Sequence, residues 1–185
     1  MSSKLRTEAW VFVTGATGFI GRQTIKQLKT AGYRVAALVR SPVKGQAIET
    51  LVDVCIIGDL ANEDALTKGI LGAKAVIHLA CALHRPWDRA LHSINIEGTR
   101  NLARICAESK QEPHLVMVSS LAARGPDRHD GPTDPISDYG KAKRAAEDTI
   151  REVYPQQHVS VVRPPMVIGP GDPTTQPLFQ AIQNG

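Results

Sequence analysis

In the run YGKAK, Tyr139 and Lys143 stand four residues apart. On a helix that spacing puts both side chains on one face, within reach of each other. A phenol ionises near pH 10, too high for proton exchange at neutrality, and a neighbouring ammonium favours the phenolate. Lowering the phenol by about three units takes about 4 kcal/mol of differential stabilisation, within reach of a partly desolvated pair. Such a pair exchanges a proton with a substrate oxygen. Ser120 ends the apolar run HLVMVSS and is the hydroxyl placed to bond the same oxygen. The plain alternative is a tyrosine packed at a helix start beside a solvated lysine.

A second constellation lies near the N-terminus, in WVFVTGATGFIGRQT. Val11 to Thr14 reads as a short buried strand. Phe19 to Thr30 reads as a helix, with Ile20, Ile25 and Leu28 at helical spacing and Gly32 as its stop signal. Gly15, Gly18 and Gly21 fall at G-x-x-G-x-x-G spacing. Glycine permits the tight turn, lets a pyrophosphate approach the free N–H groups and positive dipole end of the helix, and lets helix and strand pack closely. The same turn without a ligand is the alternative. A dinucleotide held there brings a nicotinamide, whose oxidised ring adds a second positive charge near the phenol. Lys143 would then bond the nicotinamide ribose, and hydride exchange would accompany proton exchange.

The second apolar run ends Leu38-Val39-Arg40-Ser41, where an acid would bond the adenosine ribose of NAD. Arg40, assisted by Lys44, suits a 2′-phosphate instead. NADP is therefore favoured over NAD, although a solvated arginine and an NAD site lacking the acid stay open. Asp59, in IIGDL, either accepts a hydrogen bond from the adenine amino group or caps the helix containing Glu63 to Thr67.

The elements that must position these residues alternate. Strands are expected at Arg34–Arg40, Val52–Ile57, Ala75–Ala80, His114–Ser120 and His158–Pro164, and helices at Ala90–Ser109 and Tyr139–Val153. Strands apolar on both faces with helices between them predict an α/β fold, a doubly wound parallel sheet of Rossmann type. Long Gly/Pro/Asp-rich loops at 123–138 and 164–177 follow the fifth and sixth strands, where such sheets bind ligands. Residues 1–176 read as the dinucleotide-binding domain. Residues 177–185 start an amphipathic helix that then stops, as if the chain were cut where a substrate lobe would begin.

Composition narrows the partners. The chain has 185 residues, enough for one domain, with a net charge of +4. There is no Lys/Arg block, and aromatics make up 4% of residues, too few for a stacking platform; nucleic acid is not an expected partner. No run approaches the length of a membrane span, and MSSKLRTEAW lacks the apolar stretch of a signal peptide. The three cysteines, Cys55, Cys81 and Cys106, have no zinc-like spacing and read as reduced thiols of a cytoplasmic protein, with no metal site.

From TGATGFIG through GDL, VIHLA, NIEGT, VSSLAARG and YGKAK to RPPMVIGPGD, nearly the whole chain resembles the extended short-chain dehydrogenase/reductase superfamily, in its NAD(P)-dependent epimerase/dehydratase group. The resemblance implies that Thr14, Gly15, Thr17, Gly18, Phe19, Ile20 and Gly21 cradle the pyrophosphate. It also implies that Asp59 and Leu60 contact adenine, that Ala80 lines the cofactor and that Asn95 braces the catalytic region. Ser120, Tyr139 and Lys143 become a catalytic set, and Pro164 to Val167 lie along the nicotinamide. The implied activity is oxidoreduction or epimerisation at an alcohol or ketone carbon, with a nucleotide sugar among the candidate substrates. Arg40 makes the chain look more like the NADPH-using ketone reductases of the superfamily, such as the dihydroflavonol-reductase-like or hydroxysteroid-dehydrogenase-like members. A non-catalytic NADP-binding regulator is the other alternative. Where dehydratases carry an Asp-Glu pair after the catalytic serine, this chain has Leu121 and Ala122, which argues against water elimination. The family's frequent VYG is replaced by Ala123-Arg124-Gly125. Homodimers of the family pack the helix after the fourth strand with the Tyr–Lys helix, and Ala142, Ala145 and Ala146 are small enough for that approach.

Overall fold

The first strand, β1 (Trp10–Thr14), carries apolar side chains on both faces: Val11 and Val13 point one way, Phe12 the other, and all three are buried. A strand with no polar face belongs in the middle of a covered sheet. The computed structural model, which describes residues 10–82, 93–128, 131–172 and 175–183, places it there. Helix α1 (Phe19–Thr30) follows, and then β2 (Arg34–Val39), a short α2 (Pro42–Gln46), β3 (Val54–Ile57), α3 (Glu63–Ile70) and β4 (Ala73–His78). A π-turn (Ser93–Glu97) leads into α4 (Gly98–Glu108), then come β5 (His114–Val118), α5 (Asp138–Val153), β6 (Val159–Val162) and α6 (Gln176–Gln183). The six main strands are parallel in the order 3-2-1-4-5-6. A two-stranded antiparallel ribbon (Asp127–Arg128 with Gly131–Pro132) sits inside the loop after β5.

Each face of the sheet has its own core. On one, Val11, Val13, Val35, Ala37 and Val39 pack with Ile25 of α1 and Ile48. On the other, Phe12, Leu115 and Met117 pack with Leu66 of α3, Leu102 of α4 and Ile150 of α5. Each such side chain contributes about 1.5–3 kcal/mol by leaving water. This is the expected doubly wound parallel sheet, and its order reverses between β1 and β4, opening a crevice at the carboxyl ends of those two strands.

Several boundaries differ from the sequence reading, for physical reasons. β2, β5 and β6 stop before Arg40, Ser119 and Arg163, so the residues beyond are free to build the crevice. β3 begins at Val54 because the Asp53 carboxylate turns away to accept the Val35 N–H (2.7 Å) and the Lys29 ammonium. The helix expected from Ala90 opens as a π-turn at 93–97, where the Thr99 hydroxyl bonds the Asn95 carbonyl at 2.8 Å; residues 90–92 lie outside the described residues. α1 ends at Thr30 with Ala31 as its cap; Gly32, expected as the cap, lies one residue beyond with φ +83°, and Tyr33 N–H bonds Leu28 C=O and Gly32 N–H bonds Lys29 C=O, both at 3.0 Å. Ala146, expected on a dimer face, is instead 1% exposed inside the chain's own core.

Candidate active site

The glycine turn connects β1 to α1. Gly18 caps the helix with no side-chain hydrogen bond, and no acidic residue stands in the first turn. By contrast α2, α3 and α5 are capped by Ser41, Asn62 and Ser137. The N–H groups that open α1 are therefore left for an anion, as a pyrophosphate site requires. A Cβ on Gly21 would lie 2.2 Å from the Gly15 carbonyl oxygen, so the helix rests directly on the turn. Arg22 holds the turn from outside, donating from Nε to Thr17 C=O (3.2 Å) and from Nη1 to Ala47 C=O (3.3 Å). Phe19 and Ile20 line an apolar groove with Val167 along the outer side of α1.

Arg40 is exposed just past the end of β2, with Lys44 one helical turn further on. Asp59 is exposed past β3 and accepts the Ala61 N–H at 2.9 Å. The cap of α3 is Asn62, whose Oδ1 accepts the Ala65 N–H at 2.9 Å, so the capping alternative for Asp59 falls. Leu60 is buried, in the position where a Cβ on Gly98 would collide with it; its side chain is core, and the exposed polar group at this strand end is Asp59.

Thr14 and Asn95 are both buried and turned inward, so the Thr14 hydroxyl faces away from the phosphate turn, while Asn95 holds the backbone beside it. Ala80 N–H donates to Thr14 Oγ1 (3.3 Å), and Thr14 Oγ1 pairs with His78 Nδ1 (2.7 Å). His78 Nε2 pairs with Thr99 Oγ1 (3.0 Å), whose hydrogen goes to Asn95 C=O. With the Thr99 hydrogen so used, Nε2 carries the imidazole proton and Nδ1 accepts from Thr14. Asn95 closes the relay on the backbone of Ala82, accepting its N–H at 2.9 Å and donating to its C=O at 3.1 Å. Burial, aided by the Lys143 charge, pushes His78 down to about 3 and keeps it neutral. The relay fixes the exits of β1 and β4 and the start of α4 in one arrangement, which puts Ala80 and Cys81 beside the turn. Sequence reading missed His78; its signal was a lone imidazole ending the apolar run AVIHLA.

On the other side of the crevice, α5 starts at Asp138 under the Ser137 cap, whose Oγ accepts Gly140 N–H at 3.0 Å. A Cβ on Gly140 would lie 2.5 Å from the Ala122 carbonyl oxygen, so only glycine lets this helix close on the turn that follows β5. That closeness brings Tyr139 to the same edge as Ser120 and Cys81, near enough for both to act on its phenol. Ser120 Oγ accepts the Ala122 N–H (3.2 Å), which leaves its hydrogen free for the phenol or a substrate oxygen. The loop after β6 joins in through Leu121 N–H, which donates to Pro164 C=O at 2.9 Å. Leu121 and Ala122 are exposed at this edge.

Lys143 is buried, and its Nζ donates to Val118 C=O, the last carbonyl of β5, at 2.7 Å. Burial lowers its pKa against the pull of Cys81 and Glu147. Tyr139 is half-buried and is pushed up to about 12, first by burial and then by the Cys81 charge, while the bond from Ser120 works the other way. In the chain alone the Lys143 ammonium is bonded to the β5 carbonyl, and burial is the largest influence on the phenol. Burial likewise raises the Cys81 thiol, although Lys143 and Tyr139 oppose this. The structure thus gathers Ser120, Tyr139, Lys143 and Cys81 at one mouth. Cys81 was read from the sequence only as a core thiol. Among the described residues no cluster of His, Cys, Asp and Glu could hold a metal ion.

Residues 11–183 match the family described as NAD dependent epimerase/dehydratase. The chain belongs to that family. Its members are NAD(P)-dependent oxidoreductases and epimerases. A ceramide reductase of Caulobacter vibrioides is 37% identical over 92% of this chain and 50% of its own length. The UDP-glucuronic acid 4-epimerase of Bacillus cereus, solved with NAD, superposes with a TM-score of 0.76 at 24% identity, over 95% of this chain and 64% of that one. The yeast methylglyoxal/isovaleraldehyde reductase Gre2, solved with NADPH, gives a TM-score of 0.73 at 21% identity, over 88% and 59%. At those identities the two structures speak for the fold. The chain spans about half the length of the ceramide reductase it matches.

Proposed function

We propose that the chain binds NADPH and reduces a ketone, with Tyr139 as the proton donor. The observation that carries this reading is the convergence of Ser120, Tyr139 and the buried Lys143 where α5 closes on the turn after β5, at the switch-point crevice next to an uncapped helix. The turn Gly15–Gly21 would take the pyrophosphate, Arg40 with Lys44 the 2′-phosphate, Asp59 the adenine, and Ala80, Pro164 and Val167 the nicotinamide end. Bound and reduced, the dinucleotide supplies hydride to the carbonyl carbon. The chain's own part is to hold the carbonyl oxygen on Ser120 and to give it the Tyr139 hydroxyl hydrogen. A phenol at about 12 is fully protonated at neutral pH, the correct state for a donor in the reducing direction. Lys143 would bond the nicotinamide ribose and favour the phenolate left behind.

The substrate is an alcohol or ketone carbon of a small molecule, nucleotide sugars included. The region from residue 177 onward opens the substrate-binding part. The setting is cytoplasmic, and the outer faces of α4 and α5, where Ala142 and Ala145 are half-buried, are the surface for a homodimer. The test is NADPH consumption with a panel of ketones and nucleotide sugars. Stoichiometric loss of absorbance at the reduced nicotinamide band, removed by Tyr139→Phe with NADPH binding retained, is the expected result. Sugar inversion without net consumption would make the protein an epimerase. Undiminished turnover by Tyr139→Phe would overturn the assignment of the phenol.

A further inference from the structure

One buried acid lies outside the catalytic set yet is bonded beside both strand exits that frame it. Glu147 is 0% exposed and follows Tyr139 and Lys143 at successive four-residue steps, so the three share one stripe of α5. Its Oε1 accepts from Ser119 Oγ at 2.5 Å and from Arg163 Nε at 2.8 Å. Its Oε2 accepts from Arg163 Nη2 at 2.5 Å and from Arg151 Nη2 at 3.3 Å. Ser119 is the residue before Ser120, and Arg163 is the residue before Pro164. One carboxylate therefore ties the Tyr–Lys helix to the two strand exits that carry Ser120 and Pro164. Those exits are also zipped together by Ser119 N–H donating to Val162 C=O at 2.7 Å.

The chemistry of this arrangement favours orientation over stability. Burying an ionised carboxylate and a guanidinium costs several kcal/mol, and apolar replacements of such a pair are often neutral or stabilising. A buried pair retained beside a reactive group therefore needs another reason, and here the geometry supplies one. Burial alone would push the Glu147 carboxyl up, but the bonds from Arg163 and Ser119 overcome it and hold it below the usual carboxylate range. The charge so fixed lies one turn from Lys143 and favours its ammonium form, against the burial that lowers it. The other groups facing Lys143 are the Val118 carbonyl, the Cys81 thiol and the neutral His78.

We propose that Glu147 is a positioning residue: with Arg163 and Ser119 it sets the seat of the Tyr–Lys helix against the β5 and β6 exits and keeps Lys143 charged for the dinucleotide. The inference rests on the reading of Lys143 as a dinucleotide contact. It extends beyond Ser120, Tyr139 and Lys143 to a residue that touches neither substrate nor cofactor.

The experiment measures NADPH dissociation constants by fluorescence from pH 6 to 10, alongside melting temperatures, for the full chain and three variants. Glu147→Gln keeps the shape and removes the charge. It should weaken NADPH at least tenfold near pH 8 and move the alkaline loss of affinity at least one pH unit lower. Arg163→Lys keeps a cation but gives up the second bond, and should fall between the two. The apolar pair Glu147→Met with Arg163→Met should melt as high as the native chain or higher and still bind NADPH as poorly as Glu147→Gln. An unchanged pH profile in Arg163→Lys and the apolar pair, or full recovery of affinity with recovered stability in the apolar pair, would reduce Glu147 to a structural group and overturn the proposal. These two variants decide the matter even if Glu147→Gln fails to fold. Failure of the catalytic reading shows separately, as turnover surviving in Tyr139→Phe, while the NADPH profile still judges Glu147.

Discussion

Replacing Gly21 by alanine sets two effects of known sign against each other. Gly21 is the third residue of α1, and alanine in a helix is favoured over glycine by about 1 kcal/mol. The added methyl, however, would sit 2.2 Å from the Gly15 carbonyl oxygen, 2.8 Å from Ala16 Cα and 2.9 Å from the Ala16 carbonyl carbon. All three are backbone atoms, so no flexible side chain can swing aside. Relief requires the turn to move about 1 Å, and overpacking of that kind costs about 1–3 kcal/mol. Here the cost falls at the upper end, leaving a net loss of about 1–2 kcal/mol. In urea this lowers the midpoint by about 0.5–1 M for a slope of about 2 kcal/mol/M. The turn that must move is the one whose N–H groups meet the dinucleotide. It also has little room to move, because a Cβ on Gly15 would be 2.6 Å from Ala80 N. NADPH affinity should therefore fall more than stability, by tenfold or more in a fluorescence titration. Gly18→Ala, whose Cβ meets nothing nearer than the Gly15 oxygen at 3.2 Å, should be milder. A Gly21→Ala protein that gains about 1 kcal/mol and binds NADPH as before would refute the reasoning.

Two further outcomes follow from particular residues. Arg40→Ser should weaken NADPH by about 10- to 100-fold, the worth of a charge-assisted bond, and leave NADH nearly unchanged; equal losses for both would remove Arg40 from the 2′-phosphate site. His78, pushed from 6.5 down to about 3, binds its proton in the unfolded chain well before the folded one does. The stability it contributes is present above pH 6.5 and is lost as pH falls toward 3, with the unfolded state binding more protons throughout. Denaturation midpoints should thus drop below pH 6.5. His78→Asn, though less stable at pH 7.5, should lose less over pH 6.5 to 5, and parallel losses in the two proteins would contradict this.

Much of the fold was legible because the strands are apolar on both faces and glycines punctuate them. WVFVTGATGFIG reads as strand, turn and helix with no knowledge of the rest, and alternating βα units give the parallel sheet, though its strand order came only from the structure. Ser120, Tyr139 and Asp59 also stand where strand-end and helix-start reasoning puts them. What the sequence hid was pairing at long range. Nothing in VVRPP shows that Arg163 turns back to Glu147, sixteen positions earlier in the chain. Thr14 looked like part of a phosphate loop but spends its hydroxyl on His78, and that choice depends on β1 and β4 being neighbours. The Lys143 ammonium was expected beside the phenol from helical spacing alone. Its bond to Val118 depends on where β5 ends, which i,i+4 geometry does not specify.

The central claim is that Tyr139 exchanges a proton at neutral pH only when the dinucleotide is in place. From about 12 in the chain alone to near 7 is about five units, or about 7 kcal/mol, more than Ser120 supplies by itself. The direct measurement is the tyrosinate absorbance near 295 nm, titrated from pH 6 to 12 with and without saturating oxidised NADP, with Tyr139→Phe as the blank. One tyrosine should ionise several pH units lower once the dinucleotide is bound, and its signal should vanish in the blank. A titration that the dinucleotide leaves unmoved would contradict it.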